Sequence, residues 1–249
     1  MKNTENSISK TRTLKCFGLS AHEIAQKITD IYPLTEGISL RYQEVFPEIH
    51  IILQTDKRRS VLEDLESKIK SSLGDYFFGI DSETYASSIS NSLRKNKFTL
   101  SVAESCTGGL ISHLLTKEAG ASDIFHLGMI TYSNVAKQNA LGVEASIIAK
   151  HGAVSEEVAS AMAEKVRKIG KSTFGIAVSG IAGPTGGTPE KPVGTVYIAT
   201  ADKKTTNCNS FNLVYDRIKI QLLTSYLALS TLKRTIDGHS LARQRNVLQ

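Results

Sequence analysis

Apolar positions along this chain switch repeatedly between strict alternation and a three-and-four spacing, and each switch marks a change of element. Thr13 to Phe17 reads as a short strand, after which Ser20 caps an amphipathic helix carrying Ile24, Ile28 and Ile31. Ile38 to Tyr42 and Ile49 to Gln54 alternate as two strands joined across Pro47. Val61, Leu62, Leu65, Ile69 and Leu73 share one face of a second helix, and Tyr76 to Phe78 returns as a strand. The order strand, helix, strand, strand, helix, strand predicts a small α+β domain, KH-like or split βαβ, over residues 12–80. The polar, cap-forming stretch Ile80 to Thr84 is the predicted boundary.

Beyond it the pattern alternates differently. Tyr85 to Lys95 predicts a helix, Phe98 to Val102 a buried strand, about Gly109 to Lys117 a helix, and Leu127 to Thr131 a strand. Helices follow at roughly Asn134 to Leu141 and Ser155 to Ile169, then strands at Phe174 to Val178, Val193 to Thr200 and Asn207 to Val214, and a long helix from about Tyr215 to Lys233. Strands alternating with helices imply an α/β domain over 81–236, three layers deep with helices on both faces. The last two strands flank the polar turn Asp202 to Thr206 as a hairpin, so the sheet is expected to be mixed. Residues 1–11 are expected to be a disordered tail and 237–249 a flexible one.

Composition narrows the function classes. With 249 residues, 41% hydrophobic and 22% charged, the chain has the profile of a globular protein with ample core. A net charge of +6 and a pI near 9.1 admit an anionic ligand, but the basic residues are scattered and make no nucleic-acid stripe. Cys16, Cys106 and Cys208 lie far apart, so neither a disulfide framework nor a zinc site is indicated. No stretch has the apolar length of a membrane span and the polar start lacks a secretory core, which places the expected location in the cytoplasm.

Three stretches carry candidate chemistry. Ala103 to Leu110 (AESCTGGL) sits where the buried strand turns into a helix, and unpaired helical N–H groups there suit a phosphate, a carboxylate or an oxyanion. Taken alone, Ser105 and Thr107 read equally as helix caps. In Thr131 to Lys137 (TYSNVAK), Tyr132 ends a strand and Lys137 lies in the first turns of a helix capped by Asn134. A desolvated lysine can take a proton from a serine hydroxyl, whereas a solvated lysine beside a half-buried tyrosine is the ordinary alternative. Ser179 to Tyr197 (SGIAGPTGGTPEKPVGTVY) is a long loop at the carboxyl end of a buried strand, where open α/β sheets bind ligands. It lacks the GK[ST] ending of a phosphate-binding P-loop.

Together with GAVSEEVA (152–159), and in this order and spacing, these motifs resemble the C-terminal domain of the CinA family, the nicotinamide-mononucleotide deamidases, over about Thr84 to Ile236. Arg12 to Gly79, with RTLKCFG and FPEIHI, is similar to the family's middle, KH-like domain. The family's large N-terminal molybdopterin-binding-like domain has no counterpart here. A shortened member is therefore expected, without the pyrophosphatase activity associated with that domain.

The resemblance implies hydrolysis of the carboxamide of nicotinamide mononucleotide (NMN) to nicotinate mononucleotide and ammonia. On this sequence it makes Ser105 the nucleophile, Lys137 the general base and Tyr132 its partner in proton transfer. Thr107, Gly108, Gly109, Ser179, Gly180 and Gly183 become substrate-binding positions, with Ser179 either binding the pyridine amide or positioning Lys137, and Arg217 an anion contact. Backbone amides of Cys106 to Gly109 would form the oxyanion hole. No cofactor or metal is implied, and a homodimer is the expected assembly, with neither nucleic acid nor membrane as partner. Two positions depart from the family pattern: Tyr215 where glycine commonly precedes Asp-Arg, and Gln221 where a basic residue is common. The alternative is a catalytically silent binding or scaffold protein acting through the KH-like module or by oligomerising.

Overall fold

A computed structural model describes residues 10–31, 37–56 and 59–247, with Arg59 and 239–247 in backbone only. By its internal contacts the chain divides into two units, up to Ser88 and from Ile89.

In the first unit, β1 (Lys10–Phe17), β2 (Ile38–Val45), β3 (Glu48–Thr55) and β4 (Phe77–Ile80) form an antiparallel sheet ordered β2-β3-β1-β4. This is the split βαβ order, in which β3 lies between β1 and β2. Helix α1 (Ala21–Ile28) starts at a complete capping box: Ser20 accepts from the Glu23 amide and the Glu23 carboxylate returns to the Ser20 N–H. It packs with α2 (Arg59–Leu73) on one sheet face, burying Leu14, Cys16, Ile24, Ile51, Leu65 and Ile69. The Ile80–Thr84 junction is tied to β1. Asp81 pairs with Arg12 and its N–H donates to Thr13 O at 2.8 Å, and Lys15 Nζ reaches Glu83 O at 2.8 Å. The division therefore falls inside α3 (Tyr85–Asn96), a few residues past the predicted boundary. Most of the predicted N-terminal tail lies outside the described residues, and Lys10 and Thr11 already belong to β1.

The second unit holds a five-stranded mixed sheet ordered β6-β5-β7-β8-β9, where β5 is Leu100–Glu104, β6 Phe125–Ile130, β7 Phe174–Gly180, β8 Thr195–Ala201 and β9 Thr206–Asn212. β5 runs parallel to both β6 and β7, and β7, β8 and β9 pair antiparallel. Helix α4 (Leu110–Thr116) follows β5, α5 (Asn134–Asn139) and α6 (Ala145–His151) follow β6, and α7 (Glu156–Ile169) leads into β7. α7 covers one sheet face, and α4 with the final helix α8 (Arg217–Val247) covers the other, giving three layers. The α7 face carries Ala103, Ala177, Ala199 and Ala201, small side chains that let the helix approach. A Cβ on Gly175 would stand 2.2 Å from the Ala163 carbonyl oxygen, which is why that position is glycine.

Two expectations need correction. The short helix α6 was not predicted, because its apolar residues Ile147 and Ile148 are adjacent rather than spaced. The segment from Asp237, expected as a flexible tail, continues α8 to Val247, with Lys233 and Asp237 paired at 2.7 Å one turn apart. No helix among the described residues is long and apolar enough to cross a membrane.

Candidate active site

The carboxyl ends of β5, β6 and β7 converge on one cavity of about 210 Å³. Ser105, Tyr132, Lys137, Ser179, Gly180 and Arg217 line it, while Thr107, Gly108, Gly109 and Gly183 do not.

Ser105 is the first residue after β5, and Lys137 lies one helical turn beyond Ser133, whose side chain caps α5 by accepting from the Ala136 N–H at 3.0 Å. The cap is thus Ser133 and not Asn134, which instead lines the cavity. Lys137 is 1% exposed, and its Nζ donates to Ser105 Oγ and to Thr131 O, each at 2.9 Å. Among the described residues no carboxylate pairs with it. Burial holds its pKa below the ordinary lysine value, an effect opposed in part by the Cys106 thiol. In the neutral form one N–H still serves Thr131 O and the lone pair faces Ser105, so the contact can reverse and the hydroxyl can donate. Cys106 is no rival nucleophile: burial pushes its thiol up to about 12.

The turn after Ser105 is built around a buried anion of the protein's own. Glu104 is 0% exposed. Its Oε2 accepts from Thr107 Oγ1 at 2.7 Å and from the Gly109 and Ile111 amides at 3.0 Å; its Oε1 accepts from the Ser112 amide at 2.8 Å and the Ser112 hydroxyl at 2.7 Å. The α4 N-terminus, expected to receive an external anion, is therefore already neutralised, and Thr107 serves Glu104 rather than a ligand. Gly108 and Gly109 are needed for the bend, at φ +63° and +102°. Gly109 also faces Ile130, whose Cδ1 would lie 2.8 Å from an added Cβ.

Tyr132 does not bond to Lys137. Its hydroxyl accepts from Arg217 Nη2 at 2.9 Å, and Arg217 Nη1 donates to Gly183 O at 2.7 Å. Arg217 thus clamps the Tyr132 segment to the long loop, with further N–H groups left over. Ser179 is fully buried and donates to Ala153 O at 2.7 Å, with no bond to Lys137. Its committed proton leaves its lone pairs as acceptors toward the cavity.

Sequence reasoning missed several contributors. Ala153, Val154 and Ala182 also form the wall. Lys191 fastens the long loop to that wall, its Nζ donating to His151 O at 3.0 Å and Val154 O at 2.7 Å. Gln221 Nε2 donates to Cys106 O at 2.9 Å, so this departure from the family pattern touches the nucleophile turn. Tyr215 does not line the cavity, and its neighbour Asp216 caps α8 by accepting from the Lys219 amide at 2.9 Å. Among the described residues no cluster of His, Cys, Asp and Glu is arranged to hold a metal.

The family model described as CinA C-terminal domain matches residues 82–236. A CinA-like protein of Syntrophus aciditrophicus is 41% identical over 240 residues, covering 94% of this chain and 57% of that one. A CinA-like protein of Citrifermentans bemidjiense is 43% identical over 223 residues, covering 89% and 54%. The chain thus spans less than three fifths of the length of these curated relatives. Among solved structures, the competence/damage inducible protein CihA from Agrobacterium tumefaciens superposes with a TM-score of 0.59 at 37% identity, over 61% of this chain and 93% of that one. A competence-damaged protein (CinA) superfamily protein from Klebsiella pneumoniae gives 0.60 at 28% identity, over 62% and 96%.

Proposed function

The chain belongs to the CinA family, and on that premise we propose that its second unit hydrolyses the carboxamide of NMN through an acyl-enzyme on Ser105. The observation that carries this reading is the buried, carboxylate-free Lys137 with Nζ 2.9 Å from Ser105 Oγ. A buried amine without a carboxylate partner is costly to keep, and such a lysine is suited to proton transfer.

Neutral Lys137 takes the Ser105 proton as Oγ attacks the carboxamide carbon. The oxyanion is met by N–H groups of the Ser105 turn that Glu104 has not claimed. Lys137 returns its proton to the departing nitrogen, the C–N bond breaks and ammonia leaves. Water, deprotonated by Lys137, then cleaves the ester and releases the carboxylate, restoring Ser105. The Ser179 lone pairs accept from the carboxamide NH2. The cavity of about 210 Å³ lies below the roughly 300–1,000 Å³ typical of whole-ligand pockets, which suits the pyridine carboxamide with ribose and phosphate outside, toward Arg217.

Ammonia release from NMN by the purified chain tests this. Ser105→Ala and Lys137→Met should each lose about 10³-fold or more in kcat while folding normally. Wild-type silence with NMN still bound would instead support the binding or scaffold alternative.

A further inference from the structure

Asn134 stands apart from the other hydrogen-bonding side chains that line the cavity. Ser105 and Lys137 bond to each other, Tyr132 accepts from Arg217, Arg217 also donates to Gly183 O, and Ser179 donates to Ala153 O. Asn134 lines the same cavity, yet its side chain makes no hydrogen bond among the described residues. Its place at the start of α5 gives it no structural duty either, because Ser133 performs the capping. The cavity therefore carries one uncommitted carboxamide, a donor and an acceptor side by side.

The wall is graded by depth. Ser105, Lys137 and Ser179 are buried, Arg217 is half-buried, and Tyr132 and Asn134 stand exposed at the rim. NMN is graded in the same order, with carboxamide and ring at one end, then ribose, then phosphate. With its carboxamide at Ser105, the ribose is the part that crosses the rim. The chemistry of each part then selects its partner. A phosphate offers acceptors and negative charge, which suits the spare N–H groups of Arg217 and would leave the Asn134 carbonyl facing like charge. The ring has no hydrogen-bonding group beyond the carboxamide itself. The two vicinal ribose hydroxyls each donate and accept, and a side-chain carboxamide answers them with its NH2 and its C=O. We propose that Asn134 reads the ribose, its carboxamide pairing with the vicinal hydroxyls while the pyridine carboxamide lies at Ser105. The proposal rests on the NMN reading. It makes Asn134 a specificity residue that favours the nucleoside over the bare base and takes no part in bond breaking.

The test measures dissociation constants by calorimetry for NMN, nicotinamide riboside and 1-methylnicotinamide, which share the pyridinium carboxamide and lose first the phosphate and then the ribose. The full chain carries Ser105→Ala, so that nothing turns over, with and without Asn134→Ala. The second substitution should weaken NMN and the riboside alike, by about 5–20-fold, and leave 1-methylnicotinamide within about twofold. Asn134→Asp, which still accepts from hydroxyls, should recover most of the loss for the riboside. With Ser105 in place, Asn134→Ala should raise KM for ammonia release from NMN and keep kcat within about threefold. Weakening of NMN alone would assign Asn134 to the phosphate, and equal weakening of all three would assign it to the ring or the wall. Either result overturns the proposal, as does no change in any. If NMN binds but the chain bearing Ser105 releases no ammonia, the amidase reading fails and the binding series alone judges Asn134. No binding of NMN overturns both.

Discussion

Lys137 is costly to keep. Its lowered pKa means that between that value and the ordinary lysine range the unfolded chain binds the extra proton and the folded one does not, so stability rises with pH through the window. Lys137→Met should therefore raise the melting temperature at pH 6, by about 2–4 °C per kcal/mol relieved, with the gap closing toward pH 10. The wild-type rate should rise with pH through the same lowered pKa, since the neutral amine is the active form. Tyr132 makes the opposite prediction. Because its hydroxyl serves Arg217 and not Lys137, Tyr132→Phe should raise KM for NMN, cost less than about tenfold in kcat, and leave the pH profile in place. A shifted profile would restore the proton-relay role. At this scale the sequence exposed Ser105 and Lys137, because a hydroxyl just after one strand and an amine on the helix that follows the next are a chemical pattern. Glu104 escaped it: a carboxylate in a string reads as solvated until its partners are located.

Each element of the site is held by side-chain-to-backbone bonds that periodicity cannot announce. α4 hangs on Glu104, and Glu104→Ala would strand five donors. We expect a loss of about 3 kcal/mol or more in chemical denaturation, with kcat falling in the folded fraction because the Ser105 turn loosens. The long loop hangs on Lys191, and Lys191→Met should leave stability nearly unchanged while raising KM through the freed Ala153–Val154 wall. The strands and the longer helices were legible because their apolar spacing is regular: β5 and β7 read as continuous buried runs, and α7 has Ser155 as its cap. α6 and the far half of α8 were not, since one is too short to show a period and the other is polar enough to resemble a tail.

At the scale of the molecule, the proposed chemistry belongs wholly to the second unit, and the first is a separate split βαβ body with its own core. Leu14, 0% exposed, sits at the centre of that core. Leu14→Ala should cost the first unit about 2–5 kcal/mol and split off a lower calorimetric transition, with kcat for NMN unchanged below it.

Ser105 directly follows β5, and Lys137 reaches it from α5 while bonded to Thr131 O just past β6. The rungs that anchor these strand ends are Thr131 N–H to Glu104 O at 2.8 Å, between β6 and β5, and Ser105 N–H to Val178 O at 3.2 Å, between β5 and β7. The ladder of the sheet acts as a ruler for the nucleophile and its base, and a ruler does not soften gradually as a loop does. Heating should therefore leave ammonia release from NMN intact up to the melting of the second unit and then abolish it at once. The working temperature limit of this site would be the melting point of a sheet.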